Sequence, residues 1–525
     1  MEEYRRIAKA ATVVGGATLL SRIFGFIRDM VVAQFFGAGM STDAFFVAFR
    51  IPNLLRRLVG EGALTASFIP VYSEYITQRS KGEGDDLVNA SFSVLAVFLI
   101  LITALGIAFS PWIVKVLAYG FSQEPDKFRL TVLLNRLMFP YIFFIGLVAL
   151  AMGVLNTWKR FAAPALAPVL LNVSIIVCVL FLSDKLQQPI LALAIGVILG
   201  GVAQLFFQIP FIQKVGIHPR FCFSLSHPGV RRIGNLMAPS VLGLAVTQLN
   251  VIVSTFLASY LPEGSVSYLY YADRLLEFPM GIFAIAIATA VLPTLSEYSA
   301  KDDLQKLRET ISFALRFVFF VTLPAMVGLI VLRKPILNLL FQRGAFTAHS
   351  AEMTAQALLY YALGLAAFAG VRIIVPAFYS LQDTKTPVKV AFIALLANAG
   401  LGAVLMTPLR HGGLALATSL AAGLNFVLLV ILLRRKLGKI GSSNIAGSFL
   451  KNLAASLLMG AVILAISSGG PWQEAGVSVE KVWLLLGAIL AGIAVYAGAC
   501  YFFGSQELRS AMEIIKTKMG RESID

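Results

Sequence analysis

Several charged side chains sit where the surrounding composition makes charge costly. The run Ser21-Arg22-Ile23-Phe24-Gly25-Phe26-Ile27-Arg28-Asp29 lies inside the first long apolar segment. A second segment carries Asp43, Arg50, Arg56, Arg57 and Glu61, and another carries Asp273, Arg274 and Glu277. Ionisable residues at bilayer depth face a protein interior or a water-filled cavity. Arginine in such a place suits phosphate, because its planar fork donates bidentate hydrogen bonds and it stays charged when desolvated. Several arginines with few acids therefore point to an anionic ligand, with phosphate the anion that fits best.

The spacing leaves some choices open. Arg22 and Asp29 are seven residues apart and share a helix face. Arg28 lies roughly 120° round an ideal helix from Arg22, so a bend at Gly25 would be needed to bring both arginines to one cavity. The alternative is an ion pair that holds helices together, but one carboxylate cannot neutralise two guanidiniums. Pro52 interrupts the second segment before Arg56 and Arg57. These point about 100° apart, so Arg56 is expected inward and Arg57 snorkelling to the interface. Glu61, between Gly60 and Gly62, reads either as a gate partner or as a turn acid. Arg274 follows Asp273 and precedes Glu277 by three residues, so an ion pair along the helix competes evenly with cavity lining.

The elements that position these residues are membrane spans. The chain has 525 residues, 58% hydrophobic and 13% charged, with a mean hydropathy of +0.83. Soluble domains carry roughly 25% charged residues. Apolar runs recur from end to end without strict alternation, which excludes a β-barrel and predicts an all-α polytopic membrane protein. Fourteen segments of spanning length fall near 8–34, 40–75, 87–119, 129–155, 161–183, 188–213, 232–260, 266–297, 305–331, 355–380, 387–407, 412–433, 447–468 and 482–504. The second and eighth are too long for one straight span and are expected either to bend or to include a surface helix. Basic loops explain most of the net charge of +16, though not the arginines inside spans, and their distribution predicts that both termini are in the cytoplasm. The charge does not call for nucleic acid. The three cysteines are far apart, with no CxxC pair and no disulfide framework.

An internal repeat is visible. Pro70-Val71-Tyr72-Ser73-Glu74-Tyr75 matches Pro293-Thr294-Leu295-Ser296-Glu297-Tyr298 at an offset of 223, and the same offset places Pro164 on Pro387. Six spans per repeat give two lobes of one orientation, related by a pseudo-twofold along the membrane normal. The expected division is an N-terminal lobe over 1–220, a C-terminal lobe over 221–440, and two further helices with a cytoplasmic tail over 441–525.

The run 21–29, Gly37-Ala38-Gly39-Met40-Ser41-Thr42-Asp43-Ala44-Phe45-Phe46-Val47-Ala48-Phe49, Pro52-Asn53-Leu54-Leu55-Arg56-Arg57, the stretch 270–279 and Asp383-Thr384-Lys385-Thr386-Pro387 closely resemble the MurJ/MviN family. The resemblance runs over essentially the whole chain. It implies the fold of the MOP exporter superfamily, with two six-helix lobes around a cationic cavity and two more helices forming a groove for a lipid tail. It implies a lipid II flippase of the bacterial cytoplasmic membrane. Such a protein moves undecaprenyl-pyrophosphate disaccharide-pentapeptide from the inner to the outer leaflet by alternating access, with no covalent chemistry and no catalytic residue. The functional arginines then correspond to Arg22, Arg28, Arg56 and Arg274, with Asn53 and Ser267 at the ligand. Asp29, Asp43, Glu61, Asp273 and Glu277 are the acids expected to pair with the arginines when the cavity is empty. Expected partners are lipid II, membrane lipids and cell-wall synthesis proteins, around a monomer. No cofactor or metal is expected. Coupling to the membrane potential or to an ion is left open, and the lack of a mid-span aspartate in the second lobe argues against a carboxylate sodium site. The rival reading is a MOP-type exporter of another polyprenyl-linked glycan or of a small molecule.

Overall fold

Runs of apolar residues without alternation fold here into helices, and no strand occurs among the described residues. The structure is a computed structural model that describes residues 2–57 and 63–513, with side chains from residue 12 onward except 242–247 and 282–283. The chain divides into two compact units, residues 1–267 and 268–525.

In the first unit, α1 (Glu2–Phe36) is followed by α2 (Met40–Leu55), α3 (Leu64–Gln78), α4 (Lys81–Ala108), α5 (Ser110–Leu117), α6 (Pro125–Met138), α7 (Tyr141–Thr157), α8 (Ala162–Leu182), α9 (Leu191–Lys214) and α10 (Pro228–Ala258). The core forms around Phe68, Tyr72, Leu150 and Val154, all buried. Helix α1 packs along α8, and α8 along α9. Helix α10 packs against α3, α4 and α5. That is why the boundary between the units lies beyond α10, rather than in the basic connection 215–227 that precedes it.

The second unit follows in the same order. It begins within α11 (Ser265–Pro279) and holds α12 (Ile285–Ala300), α13 (Leu304–Leu340), α14 (Ala348–Leu363), α15 (Leu365–Ser380), α16 (Lys385–Leu409), α17 (His411–Leu437), α18 (Ser442–Ser467) and α19 (Val479–Phe502). Its main core gathers Leu315, Val318, Phe378 and Leu433. Helices α18 and α19 pack on α13 through a separate cluster that includes Val327, Met459 and Ile463. Residues 506–513 add a short helix, tied back by Glu507 to Arg316 of α13 at 3.3 Å.

The repeat is written into the helix boundaries. Helix starts at Lys81, Pro125 and Ala162 recur at Leu304, Ala348 and Lys385, each 223 residues later. Each over-long segment contains a π-helical turn. The break after α2 has a π-helical turn at Arg56–Arg57, and the corresponding break after α11 is a π-helical turn at Met280–Ala284. Turns of this kind inside helices recur at functional sites. Nine helices among the described residues are long and apolar enough to cross a membrane, and α14 with α15, bent by 42°, makes a tenth. The other four expected segments coincide with α1, α2–α3, α10 and α11–α12. Every described arginine and acid of the candidate site lies on α1, α11 or the stretch from α2 to the turn after it.

Candidate functional site

Helix α1 runs unbroken past Gly25, and its two arginines meet different surroundings. Arg28 is buried, 7% exposed, as is its neighbour Asp29. Its Nε and Nη2 donate to Asp29 Oδ1 at 3.0 and 2.6 Å. Its Nη1 donates to Asn172 Oδ1 of α8 at 3.0 Å. The Asn172 amide in turn donates to the Ser21 carbonyl at 3.2 Å. A Cβ at Gly25 would lie 3.5 Å from that same amide, so Gly25 is the flat spot on α1 against which Asn172 rests. Asn172 thus orients the guanidinium from across the helix pair. The sequence reading missed it, although a single asparagine inside the apolar run of α8 was the available signal.

Arg22 is exposed and has no hydrogen-bond or ion-pair partner among the described residues. It lies fourteen residues before the end of α1, or about 21 Å at 1.5 Å per residue. The two arginines are therefore not brought to one partner: one is clamped by protein and the other is presented.

Arg56 sits in the π-helical turn directly after Pro52 and α2. It is half-buried, and its Nε donates to Asn53 Oδ1 at 3.0 Å. Arg57 is exposed. Glu61 lies outside the described residues. In the second unit, Arg274 Nη1 donates to Glu277 Oε2 at 2.9 Å. Its Nε and Nη2 reach the Tyr270 hydroxyl at 3.4 and 3.3 Å, and Asp273 beside it is exposed. The expected ion pair along this helix therefore forms, between partly exposed groups.

Asp43 and Ser267 differ from the sequence reading. The cation beside Asp43 is a lysine and not an arginine: Lys127 Nζ of α6 is 3.2 Å from Asp43 Oδ2, with both side chains about 1% exposed. The amides of Gly264 and Ser267 donate to Asp43 at 2.8 and 2.9 Å. The Ser267 hydroxyl, expected at the ligand, is fully buried and donates to Asp43 at 2.7 Å. Glu263 accepts from the Met40 amide at 2.5 Å, capping the positive end of α2. Gly120 donates its amide to Ser259 Oγ at 3.0 Å, and a Cβ there would come within 2.2 Å of the Ser259 carbonyl. The connection from α10 to α11 is thus stapled to the start of α2 and to the 120–127 stretch. Tertiary contact brought Lys127 into play. It precedes the apolar run of α7 and carries no mark of burial in the sequence beyond the Pro125 helix start.

Among the described residues, no cluster of His, Cys, Asp or Glu has the geometry to hold a metal ion.

The family model for the lipid II flippase MurJ matches residues 32–487. A probable lipid II flippase MurJ of Vibrio cholerae is 39% identical over 523 residues, covering 97% of this chain and 99% of that protein. The lipid II flippase MurJ of Burkholderia cenocepacia is 37% identical over 501 residues, covering 94% and 97%. A solved structure of lipid II flippase MurJ in an inward closed conformation superposes with a TM-score of 0.78 at 28% identity, covering 95% of this chain and all of that one. An inward-facing multidrug resistance MATE transporter of the MOP superfamily shares the fold, with a TM-score of 0.66 at 16% identity over 82% of this chain and 99% of that one.

Proposed function

Since this chain belongs to the lipid II flippase MurJ family, we propose that it carries lipid II from the inner to the outer leaflet of the bacterial cytoplasmic membrane, with both termini in the cytoplasm. It acts as a transporter and not as an enzyme. The observation that carries the site assignment is Arg22, an exposed guanidinium fourteen residues, or about 21 Å, from the end of α1 in a segment read as spanning the membrane. Such a group marks a water-filled cavity, and its free fork matches a pyrophosphate oxygen pair. Arg28, held in a fixed pose by Asp29 and Asn172, and Arg56 at the π-helical turn add two more donors. Arg274 supplies the same chemistry from the second unit.

In this reading the arginines capture the pyrophosphate from one face of the membrane, and alternating access then presents it to the other. Asp29 and Glu277 already hold Arg28 and Arg274, and a ligand phosphate would compete with these carboxylates. Their return to the arginines then aids release. The bond network around Asp43 is the element that must open if the α10–α11 connection moves. No cofactor is needed. An inside-negative potential favours return of an unloaded cationic site toward the inner face, by about 2.3 kcal/mol per charge per 100 mV moved.

The test is reconstitution of the full chain in proteoliposomes with labelled lipid II, and a membrane-impermeant reagent that reads leaflet exposure. Arg22→Ala and Arg28→Ala are expected to abolish protein-dependent exposure while the protein still melts cooperatively. Retention of wild-type flipping by both variants would overturn the site assignment.

A further inference from the structure

The first unit contains an apolar cavity that includes none of the candidate arginines. It measures about 370 Å³ and opens on the side of the unit, walled by Phe68 of α3, Val94 and Phe98 of α4, Gly234 of α10, and Phe223 and Leu225 of the 215–227 connection. Its lining is almost wholly apolar. Along α4 it extends from Ser91 to Leu101, about 15 Å. Phe98 and Leu101 are 49% and 55% exposed, so the opening faces sideways, where a bilayer would lie. The size and lining suit one hydrocarbon chain. A sugar or peptide would find a single polar side chain there, Ser91, whose buried Oγ has no hydrogen-bond partner among the described residues.

The rim has a charge pattern of its own. The connection is held in place by α4: the Arg220 amide donates to Asn89 Oδ1 at 2.8 Å and the Cys222 amide to Ser93 Oγ at 2.7 Å. This brings Phe223 and Leu225 over the cavity and leaves the Arg220 side chain exposed at the same end. Arg231, one residue after the cavity-lining Val230, donates its Nε to the Leu225 carbonyl at 3.3 Å and is otherwise exposed. Its neighbour Arg232 is taken by Glu74 at 2.8 Å. No acid pairs with Arg231 or Arg220 among the described residues. An apolar slot thus ends in two guanidiniums that lack a counter-ion.

We propose that this slot binds one acyl chain of an anionic phospholipid, with the headgroup phosphate on Arg231 and Arg220. Charge complementarity selects the occupant, since a zwitterionic lipid brings its own ammonium beside the phosphate and leaves the two guanidiniums without a net counter-charge. On the orientation read from the basic loops, the site draws from the inner leaflet.

The test uses the full chain in bilayers of phosphatidylcholine doped with phosphatidylglycerol carrying a photoreactive diazirine on its acyl chain. Adducts are then mapped by peptide mass. They are expected on 94–101 and 230–237. A Cβ at Gly234 meets nothing within 4 Å, so Gly234→Phe fills the slot without a backbone clash and is expected to cut these adducts about tenfold. Gly234→Leu is the milder plug if the larger one lowers the yield of folded protein. Arg231→Gln is expected to lower the preference for phosphatidylglycerol over an equally labelled phosphatidylcholine about fivefold. The proposal is overturned by adducts spread evenly over the lipid-facing helices, by labelling that ignores both Gly234 variants, by equal labelling from the two lipids, or by displacement with undecaprenyl phosphate, which would make the slot a polyprenyl site.

Discussion

Removing Lys127 tests the staple around Asp43. The two side chains are 3.2 Å apart and about 1% exposed. Lys127→Met leaves the carboxylate with the Gly264 and Ser267 amides and the Ser267 hydroxyl, but without a cation. A buried charge that loses its counter-ion costs about 3–5 kcal/mol. Asp43→Asn strands the ammonium, which keeps the Phe121 ring at 4.3 Å and Glu124 at 4.0 Å, and the cost falls in the same range of about 3–5 kcal/mol. The double variant removes both charges together. Its cost is therefore expected to be less than the sum of the singles, by up to about 3 kcal/mol. The assay is denaturant or thermal unfolding of the purified chain in one detergent, with limited proteolysis at the 259–264 connection as a local readout. The singles should expose that connection, and the double variant should protect it partly. If the two changes add to within about 0.5 kcal/mol, the pair is not coupled and the staple is held by its hydrogen bonds alone.

Asn172→Ala removes a hydrogen bond to a charged, buried guanidinium and is expected to cost about 1.5–3 kcal/mol, read as a lowered melting temperature together with slower flipping. Arg22→Ala should leave the melting temperature unchanged while weakening binding of a pyrophosphate-bearing lipid by roughly tenfold or more, as one charge-assisted contact is lost. Arg22→Lys should recover that only in part, because an ammonium lacks the fork. Gly120→Ala places a methyl group against the Ser259 carbonyl and is expected to destabilise by about 1–3 kcal/mol, seen as early proteolysis at the same connection. At the loop before α16, hydrogen bonds from Lys436 first and then Thr386 hold the Asp383 carboxyl well below the usual carboxylate range. A carboxyl depressed by folding contributes its stability above its unfolded value near 3.9 and loses it as pH falls through the lowered native value. Asp383→Asn should therefore lower the melting temperature equally at pH 5 and pH 8, with the difference from wild type shrinking only below about pH 4.

The sequence was most legible where one residue type or one period carries the information. Arginines inside apolar runs located the candidate site, because charge at that depth demands a reason in any fold. The motif offset of 223 foretold helix starts that recur at that spacing. That the two over-long segments are not single straight spans was legible because no straight span needs so many residues. Periodicity assigns a residue to a helix face, but it does not say which neighbour that face meets. Arg28 and Arg22 look alike in the sequence, yet one is clamped by Asp29 and Asn172 while the other is exposed.

By itself, then, the sequence determined that this chain is a helical membrane protein with an internal repeat and cationic side chains inside its apolar segments. Composition, run length and charge are enough for that, since the bilayer admits few alternatives. Only the tertiary structure decided the pairings: Asp43 with Lys127 instead of an arginine, Ser267 as a buried donor to that carboxylate, Asn172 as the residue that aims Arg28, and an apolar slot ending in Arg220 and Arg231. Asp43 and Lys127 are 84 positions apart, Arg28 and Asn172 144, and Asp43 and Ser267 224. At such separations the partner is set by which helices pack together, and no local period records that choice.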